Sequence, residues 1–316
     1  MADRISSDRA EQPLFIVNPV SGGGRTKRRI GPLIDGIERA GLKADVVFTE
    51  HRGHGTEIAR EAIERGHRYL VACGGDGTVY EVANAIMDAG AGDTVRVGTV
   101  GMGTGKDVAK CLGMGRGAAA IRAIAAAHER RIDVGRVVSR DGDGAEQTRY
   151  FLLAASAGWV PEISQSTPRW LKPLGDTAPY IIVTLVKMLG PLGRPFTLNI
   201  DGEEMDDRYN SISVHNMELW GGDLVAAPGA SPDDGLLDAI RWGDKGRLAV
   251  LQAIRGQRRQ GGAHLHMDGI DHHPARVIEM SSPKRSVLDL DGEFGGYLPA
   301  RIEVIPGALR FVVPAP

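Results

Sequence analysis

Three glycine runs, each beside hydroxyl or charged residues, carry the most legible chemistry in this chain. Gly74-Gly75-Asp76-Gly77-Thr78 follows the apolar run at 69–72 and precedes a helical pattern over 79–89. Glycines there let backbone N–H groups approach phosphate oxygens, and a strand-to-helix junction sets the positive helix end behind them. Asp76 is the odd member, because a carboxylate in a phosphate cradle repels the ligand unless it holds a cation or an acceptor hydroxyl. The plainer alternative is a turn whose Asp caps the helix. Asn18-Pro19-Val20-Ser21-Gly22-Gly23-Gly24-Arg25 is a second junction of this kind. Ser21 and Arg25 could hydrogen-bond a phosphate chain there, or the segment is an ordinary strand-to-helix loop. The third is Gly101-Met102-Gly103-Thr104-Gly105-Lys106-Asp107. It is not a Walker A loop, since Val100 stands where the first glycine belongs and Asp107 where Ser or Thr should follow the lysine. Nor is it a dinucleotide fingerprint, since Val108 replaces the third glycine.

Acidic turns form the other group. Asp201-Gly202-Glu203 and Asp291-Gly292-Glu293 each follow an apolar strand pattern, and each reads as a hairpin tip or a carboxylate site. Glu203 is followed by Glu204, Asp206 and Asp207, a charged run read as a solvated turn, whereas Glu293 precedes Gly295-Gly296. Asp233-Asp234-Gly235 is a turn or a cation ligand set. His264 and His266 would share one face of a strand and could bind metal. Without cysteines or tetrahedral spacing, a solvated strand edge and turn is the favoured reading. Ser156 has no Gly-x-Ser-x-Gly elbow around it.

These residues need a scaffold, and the composition bounds it. The 316 residues are 42% hydrophobic and 25% charged, which fits a globular protein of about two domains and excludes disordered and fibrous classes. A formal net charge of −2 argues against a nucleic-acid partner met by a broad basic face. Cys73 and Cys111 are too few for a disulfide framework or a four-cysteine zinc site. The longest apolar run, 180–189, is too short to span a bilayer and contains Lys187. Residues 1–12 lack an apolar signal segment and read as a disordered lead-in. The expected location is cytoplasmic, with any membrane contact peripheral.

Up to about residue 130, β-branched runs at 14–17, 44–48, 69–72 and 95–100 alternate with helical patterns at 25–40, 56–65, 79–89 and 118–130. That alternation predicts a parallel α/β sheet, with the glycine loops at the carboxyl ends of its strands, where such sheets bind ligands. Beyond Ile132, period-2 runs and Gly/Asp turns predict an antiparallel β domain. Its strands are expected over 133–138, 149–155, 196–200, 211–214, 236–241, 276–280 and 286–290, and its helices over 177–189 and 247–255. A closing hairpin is expected from 301–305 and 309–313 across Pro306-Gly307.

Taken in order, Asn18-Pro-x-Ser-Gly22, Gly74-Gly-Asp-Gly-Thr78 with Glu81 and Asn84, Gly103-Thr104-x-x-Asp107, Ala227-Pro228 with Asp233-Asp-Gly235, and Asp291-Gly-Glu293 resemble one family. It is the bacterial diacylglycerol kinase and sphingosine kinase family of lipid kinases, and the resemblance runs from about Leu14 to Val313. Gly-Gly-Asp-Gly-Thr alone is shared with NAD kinases and phosphofructokinases; the ordered set is more specific. The resemblance implies an NAD-kinase-like α/β nucleotide domain of residues 12–130 plus 298–316, and a β-sandwich domain of residues 131–297, with the active site in the cleft between them. By matching position, Asn18, Pro19, Val20, Ser21, Gly22, Thr49, Gly75, Asp76, Gly77, Thr78, Val79, Tyr80, Glu81 and Thr104 would contact ATP. Ser231 and Leu236, through carbonyls, and Asp234 would hold Mg2+. Glu293 would be the general base on the acceptor hydroxyl, and Asp76 would help position substrate or the catalytic magnesium.

The implied partner is a lipid or other hydroxyl substrate, with peripheral membrane contact and a homodimer left open. Trp159, Trp170 and 180–189 are candidate walls for an apolar slot, unless the last is a core helix. Lys106 departs from the family's Gly-Thr-x-Asn-Asp, so it contacts phosphate instead of the usual Asn, or the acceptor differs from diacylglycerol. The reading is a lipid kinase dependent on ATP and magnesium. The alternatives are a kinase of NAD or a small non-lipid alcohol, and a non-catalytic regulator, against which Asp76 and Glu293 together argue.

Overall fold

An uninterrupted apolar tetrad such as Leu-Phe-Ile-Val at 14–17 hides both faces of a strand only inside a parallel sheet. The computed structural model describes residues 10–24, 26–166, 183, 186, 190–259 and 262–316. The chain divides into one unit of Met1–Asp133 with Gly307–Pro316 and another of Val134–Pro306. In the first, β1 (Leu14–Val17), α1 (Lys27–Arg39), β2 (Asp45–Phe48), α2 (His54–Glu64), β3 (Tyr69–Gly74), α3 (Asp76–Asp88), β4 (Arg96–Gly101), α4 (Asp107–Cys111) and α5 (Ala118–Ala126) follow in order. The strands lie side by side as β2-β1-β3-β4, all parallel. Beyond β4 the end of the chain's last strand pairs in parallel, Arg310 against Arg96 and Phe311 against Val97.

Phe15, Ile16 and Val71 have no exposed surface, and burying side chains of this kind contributes about 1.5–3 kcal/mol each. The buried Tyr69 hydroxyl donates to Ile124 O at 2.7 Å, tying β3 to α5. From β1 the chain crosses to β2 on one side, and from β3 to β4 on the other. The loops leaving β1 and β3 therefore flank the switch point of the sheet.

The second unit is antiparallel throughout. Its strands are β5 (Glu129–Arg140, which carries the chain in), β6 (Glu146–Phe151), β7 (Ala154–Gly158), β8 (Arg194–Ile200), β9 (Glu203–His215), the short β10 (Leu219–Trp220) and β11 (Leu224–Val225), β12 (Leu237–Gly243), β13 (Ile270–Ala275), β14 (Val277–Ser281), β15 (Val287–Leu290) and β16 (Glu293–Val312). The helices are α6 (Trp159–Ser166) and α7 (Arg247–Arg259). Early β9 pairs with β8 and late β9 with β7 and β12, so one strand serves two neighbourhoods. Phe196, Leu198 and Ile200 on β8, with Ile278 and Met280 on β14, point their alternate apolar side chains inward.

Several expectations are corrected. The stretch 149–155 is not one strand: it breaks at Leu152 and Leu153, whose amides turn to a carboxylate described below. The charged run after Glu203 is strand, not turn, with its acids on the exposed half of β9. The closing hairpin does not form, because 301–305 and 309–313 belong to the single strand β16. Asp133 accepts the Gly307 amide at 2.7 Å, which holds the backbone straight past Pro306. His264 and His266 lie in a 3-10 turn rather than on a strand, and buried His264 is engaged with Ala226 O at 2.9 Å. Trp170 lies outside the described residues, as does 180–189 apart from Val183 and Val186.

Candidate active site

The glycine loops after β1, β3 and β4 interlock. The amides of Met102 and Gly103 both donate to Gly74 O, each at 2.8 Å, while the Asn18 amide donates to Cys73 O at 2.9 Å and the Thr49 amide to Val17 O at 2.9 Å. A Cβ on Gly103 would stand 2.6 Å from Gly75 Cα and 2.7 Å from its nitrogen, both backbone, so no other residue fits. One on Gly22 would lie 3.4 Å from the Gly103 backbone. Ser21 Oγ donates to Asn18 O at 3.1 Å and lies 2.6 Å from Thr26 Oγ1. Thr26 Oγ1 in turn donates to Met102 O at 3.2 Å, and Arg29 Nη1 joins it at 2.9 Å. Asn18, Pro19, Ser21, Gly22, Thr49, Gly75, Gly77 and Thr104 are thus gathered at adjoining strand ends, with Val20 exposed beside them.

Asp76 faces inward. Its Oδ2 accepts the Asp107 amide and its Oδ1 the Val108 amide, both at 3.1 Å, so the carboxylate caps α4. Burial above all, then the neighbouring Asp107 charge, pushes its pKa up to about 6 against the pull of those amides. The first turn of α3 also holds Thr78, whose buried hydroxyl finds no hydrogen-bond partner among the described residues. Val79 is buried in the core of the unit and Tyr80 is half-buried. Glu81 is committed elsewhere: its carboxylate accepts the Gly53 amide at 2.8 Å and the Gly55 amide at 3.0 Å, capping α2. Asn84 Nδ2 donates back to Tyr80 O at 3.0 Å. A Cβ on Gly101 would meet Lys106 Cδ at 3.2 Å, so the lysine stem lies across that glycine.

In the second unit the two Asp-Gly-Glu segments are the same turn built twice. Asp201 and Asp291 are both left-handed, at φ 49° and 53°, and Gly202 and Gly292 follow at 97° and 88°. Asn199 Oδ1 accepts the Gly202 amide at 2.8 Å, and Asp289 Oδ1 accepts the Gly292 amide at 2.9 Å. Asp201 takes the amides of Arg276 and Val277. Asp291 takes those of Leu152, Leu153 and Ala154 at 2.8, 2.9 and 2.9 Å. The glutamates differ: Glu203 is exposed, Glu293 half-buried, and the strand before Glu293 is clamped on its other side by β7.

The loop before β12 brings Ser231, Asp234 and Leu236 together. Ser231 Oγ donates to Asp233 Oδ1 at 2.7 Å, and Asp234 Oδ1 accepts the Leu236 amide at 3.0 Å. Exposed carboxylate and carbonyl oxygens of this kind suit a hard cation such as Mg2+. Trp159 sits in an apolar cluster with Ile240, Trp242, Val250 and Ile270, its indole N–H unpartnered among the described residues. Sequence reasoning passed over Thr26, Arg29 and the clamp by Asp291. Threonine and arginine just inside a helix carry no local signal of a carbonyl far along the chain.

A parallel sheet whose neighbouring strand ends share one glycine-lined surface, with the Asp76 and Glu81 carboxylates bonded to loop amides, is the arrangement of an α/β fold that binds a phosphorylated ligand at its strand ends. The description diacylglycerol kinase catalytic domain matches residues 12–137, and YegS C-terminal NAD kinase beta sandwich-like domain matches residues 154–313. The chain belongs to the diacylglycerol kinase family of lipid kinases that carry a YegS-type C-terminal domain. Among curated relatives, the diacylglycerol kinase of Staphylococcus haemolyticus (strain JCSC1435) is 28% identical over 287 residues, 90% of this chain and 83% of its own. That of Staphylococcus saprophyticus is 29% identical over 286 residues, 90% of each chain. A solved diacylglycerol kinase structure from Bacillus anthracis str. Sterne superposes with a TM-score of 0.70 at 20% identity, over 96% of this chain and 97% of that one, a likeness of fold.

Proposed function

We propose that this lipid kinase, of NAD-kinase-like fold, takes ATP with Mg2+ and transfers the γ-phosphoryl group to the hydroxyl of a diacylglycerol, ceramide or sphingoid-type lipid. The observation that carries the reading is the approach of Gly103 to Gly75, which brings the loops after β3 and β4 together at the amino end of α3 beside the unpartnered Thr78 hydroxyl. Asn18–Gly22, Thr49, Gly75–Thr78 and Thr104 hold the nucleotide at the positive end of α3; Val79 and Tyr80, whose amides are spent inside the helix, stand behind them. Asp76 and Glu81 act by fixing α4 and α2 rather than by touching phosphate. Ser231, Asp234 and Leu236 hold magnesium, which supplies charge neutralisation to the phosphates. Glu293 accepts the proton of the acceptor hydroxyl, since phosphoryl transfer leaves little else for a side chain to do beyond positioning. Trp159 and its apolar neighbours back the lipid chains.

The test is thin-layer analysis of labelled ATP with the full chain and separate diacylglycerol, ceramide, sphingosine and NAD. Phosphorylation of one of the lipids is the expected result. Label in NAD alone would favour the non-lipid alternative that Lys106 raises, and label in none would remove the kinase reading.

A further inference from the structure

We propose that a cavity of about 270 Å3 between α1, the end of β4 and the start of α5, bordered on one side by the loop after β4, binds a phosphomonoester that does not compete with the nucleotide. Arg29, Lys106 and Arg116 line it together with Leu33, Met102 and Ile121, and no carboxylate does. In a chain of net charge −2, the guanidinium groups of Arg29 and Arg116 on one hollow whose lining holds no carboxylate attract an anion. Arg29 is already held at the edge of the hollow by its 2.9 Å bond to Met102 O. That bond uses one N–H of a guanidinium with several, so the others keep a fixed direction towards an incoming oxygen.

Size argues for the ligand class. At about 270 Å3 the cavity lies at the lower end of the roughly 300–1,000 Å3 of small-molecule sites, a size that suits a phosphorylated triol or a lipid headgroup. Its apolar lining suits the carbon backbone of such a molecule, its cations the dianion. A free metabolite and a membrane lipid present the same chemistry here. The cavity lies within the first unit and does not depend on the lipid-kinase reading.

The probes are glycerol 3-phosphate and inorganic phosphate, titrated by calorimetry into the full chain saturated with a non-hydrolysable ATP analogue. Binding should persist with the nucleotide site filled and weaken with added salt. It should fall roughly tenfold or more in Arg116→Glu, with partial recovery in Arg116→Lys. A second arm uses phosphatidylcholine vesicles with and without phosphatidic acid. Capture only by vesicles bearing the phosphomonoester assigns a lipid source, and binding of the soluble probes assigns a metabolite. Absence of binding in both arms, unchanged affinity in Arg116→Glu, or displacement of the probes by the nucleotide analogue overturns the proposal. Because binding is read directly, these outcomes stand whether or not a lipid is phosphorylated.

Discussion

Glu203 and Glu293 occupy the same place in two copies of one turn, yet only Glu293 is half-buried and backed by a clamped strand. A base must be held where its acceptor arrives, and removing one typically lowers the rate by ~10²–10⁴-fold. Glu293→Gln should therefore collapse kcat in that range with nucleotide affinity unchanged, and Glu203→Gln should leave kcat within about twofold of wild type. Steady-state kinetics with a fixed lipid acceptor decides it, and equal behaviour of the two variants removes Glu293 as the base. Asp76 titrates in a revealing direction. Its folded-state pKa is raised to about 6 from 3.8, so the stability it contributes is complete below 3.8 and is lost as pH rises through about 6. Thermal melts from pH 4 to 7 should show wild type gaining on Asp76→Asn as the pH falls. Parallel curves would mean that the carboxyl is not buried as described.

At the scale of elements, the glycine loops behave as one piece. Gly103→Ala would press a methyl group on the backbone of Gly75 at about 2.6 Å, and neither strand end can retreat without breaking the paired bonds to Gly74 O. The expected outcome is a folded protein that melts lower by about 1–3 kcal/mol of stability and has lost most of its affinity for an ATP analogue in a calorimetric titration. Unchanged affinity would separate the loop contact from nucleotide binding. Most of the first unit was legible because its strands are short, apolar and separated by helices of clear period. The second unit was harder, for reasons visible at single residues. Leu152 and Leu153 look like strand, but their amides are claimed by Asp291 from far along the chain. Glu204, Asp206 and Asp207 look like turn, but pairing with β8 carries them. Asp76 looks like a ligand-facing acid because sequence cannot say which way a carboxylate turns; the amides that receive it belong to another loop.

Across the molecule Asp76 and His215, one in each unit, answer acid in opposite senses. His215, fully buried in the second unit, has its pKa lowered to about 3, by burial first and then by the nearby His264 and His272. A base depressed in the folded state contributes stability that is present above its ordinary 6.5 and is lost as pH falls from there towards 3. The second unit should loosen over the range in which Asp76 tightens the first. In urea titrations at pH 7 and 4.5, His215→Gln should abolish most of the acid loss seen in wild type; an unaltered loss would place its origin elsewhere.

The last strand has a consequence for synthesis on the ribosome. On the side away from β3, β4 pairs with the last strand through Arg310 and Phe311, and Arg310 closes on Glu129 through bonds of 2.6 and 3.0 Å. When residue 133 has been made, the first unit is therefore a sheet with a raw edge, and it stays so while some 170 further residues are translated. At about 5–20 residues per second that is a wait of roughly 10–35 seconds, during which β4 offers an open template to any other extended chain. That edge closes only once Gly307–Pro316 has been made, so the first unit is finished after the second.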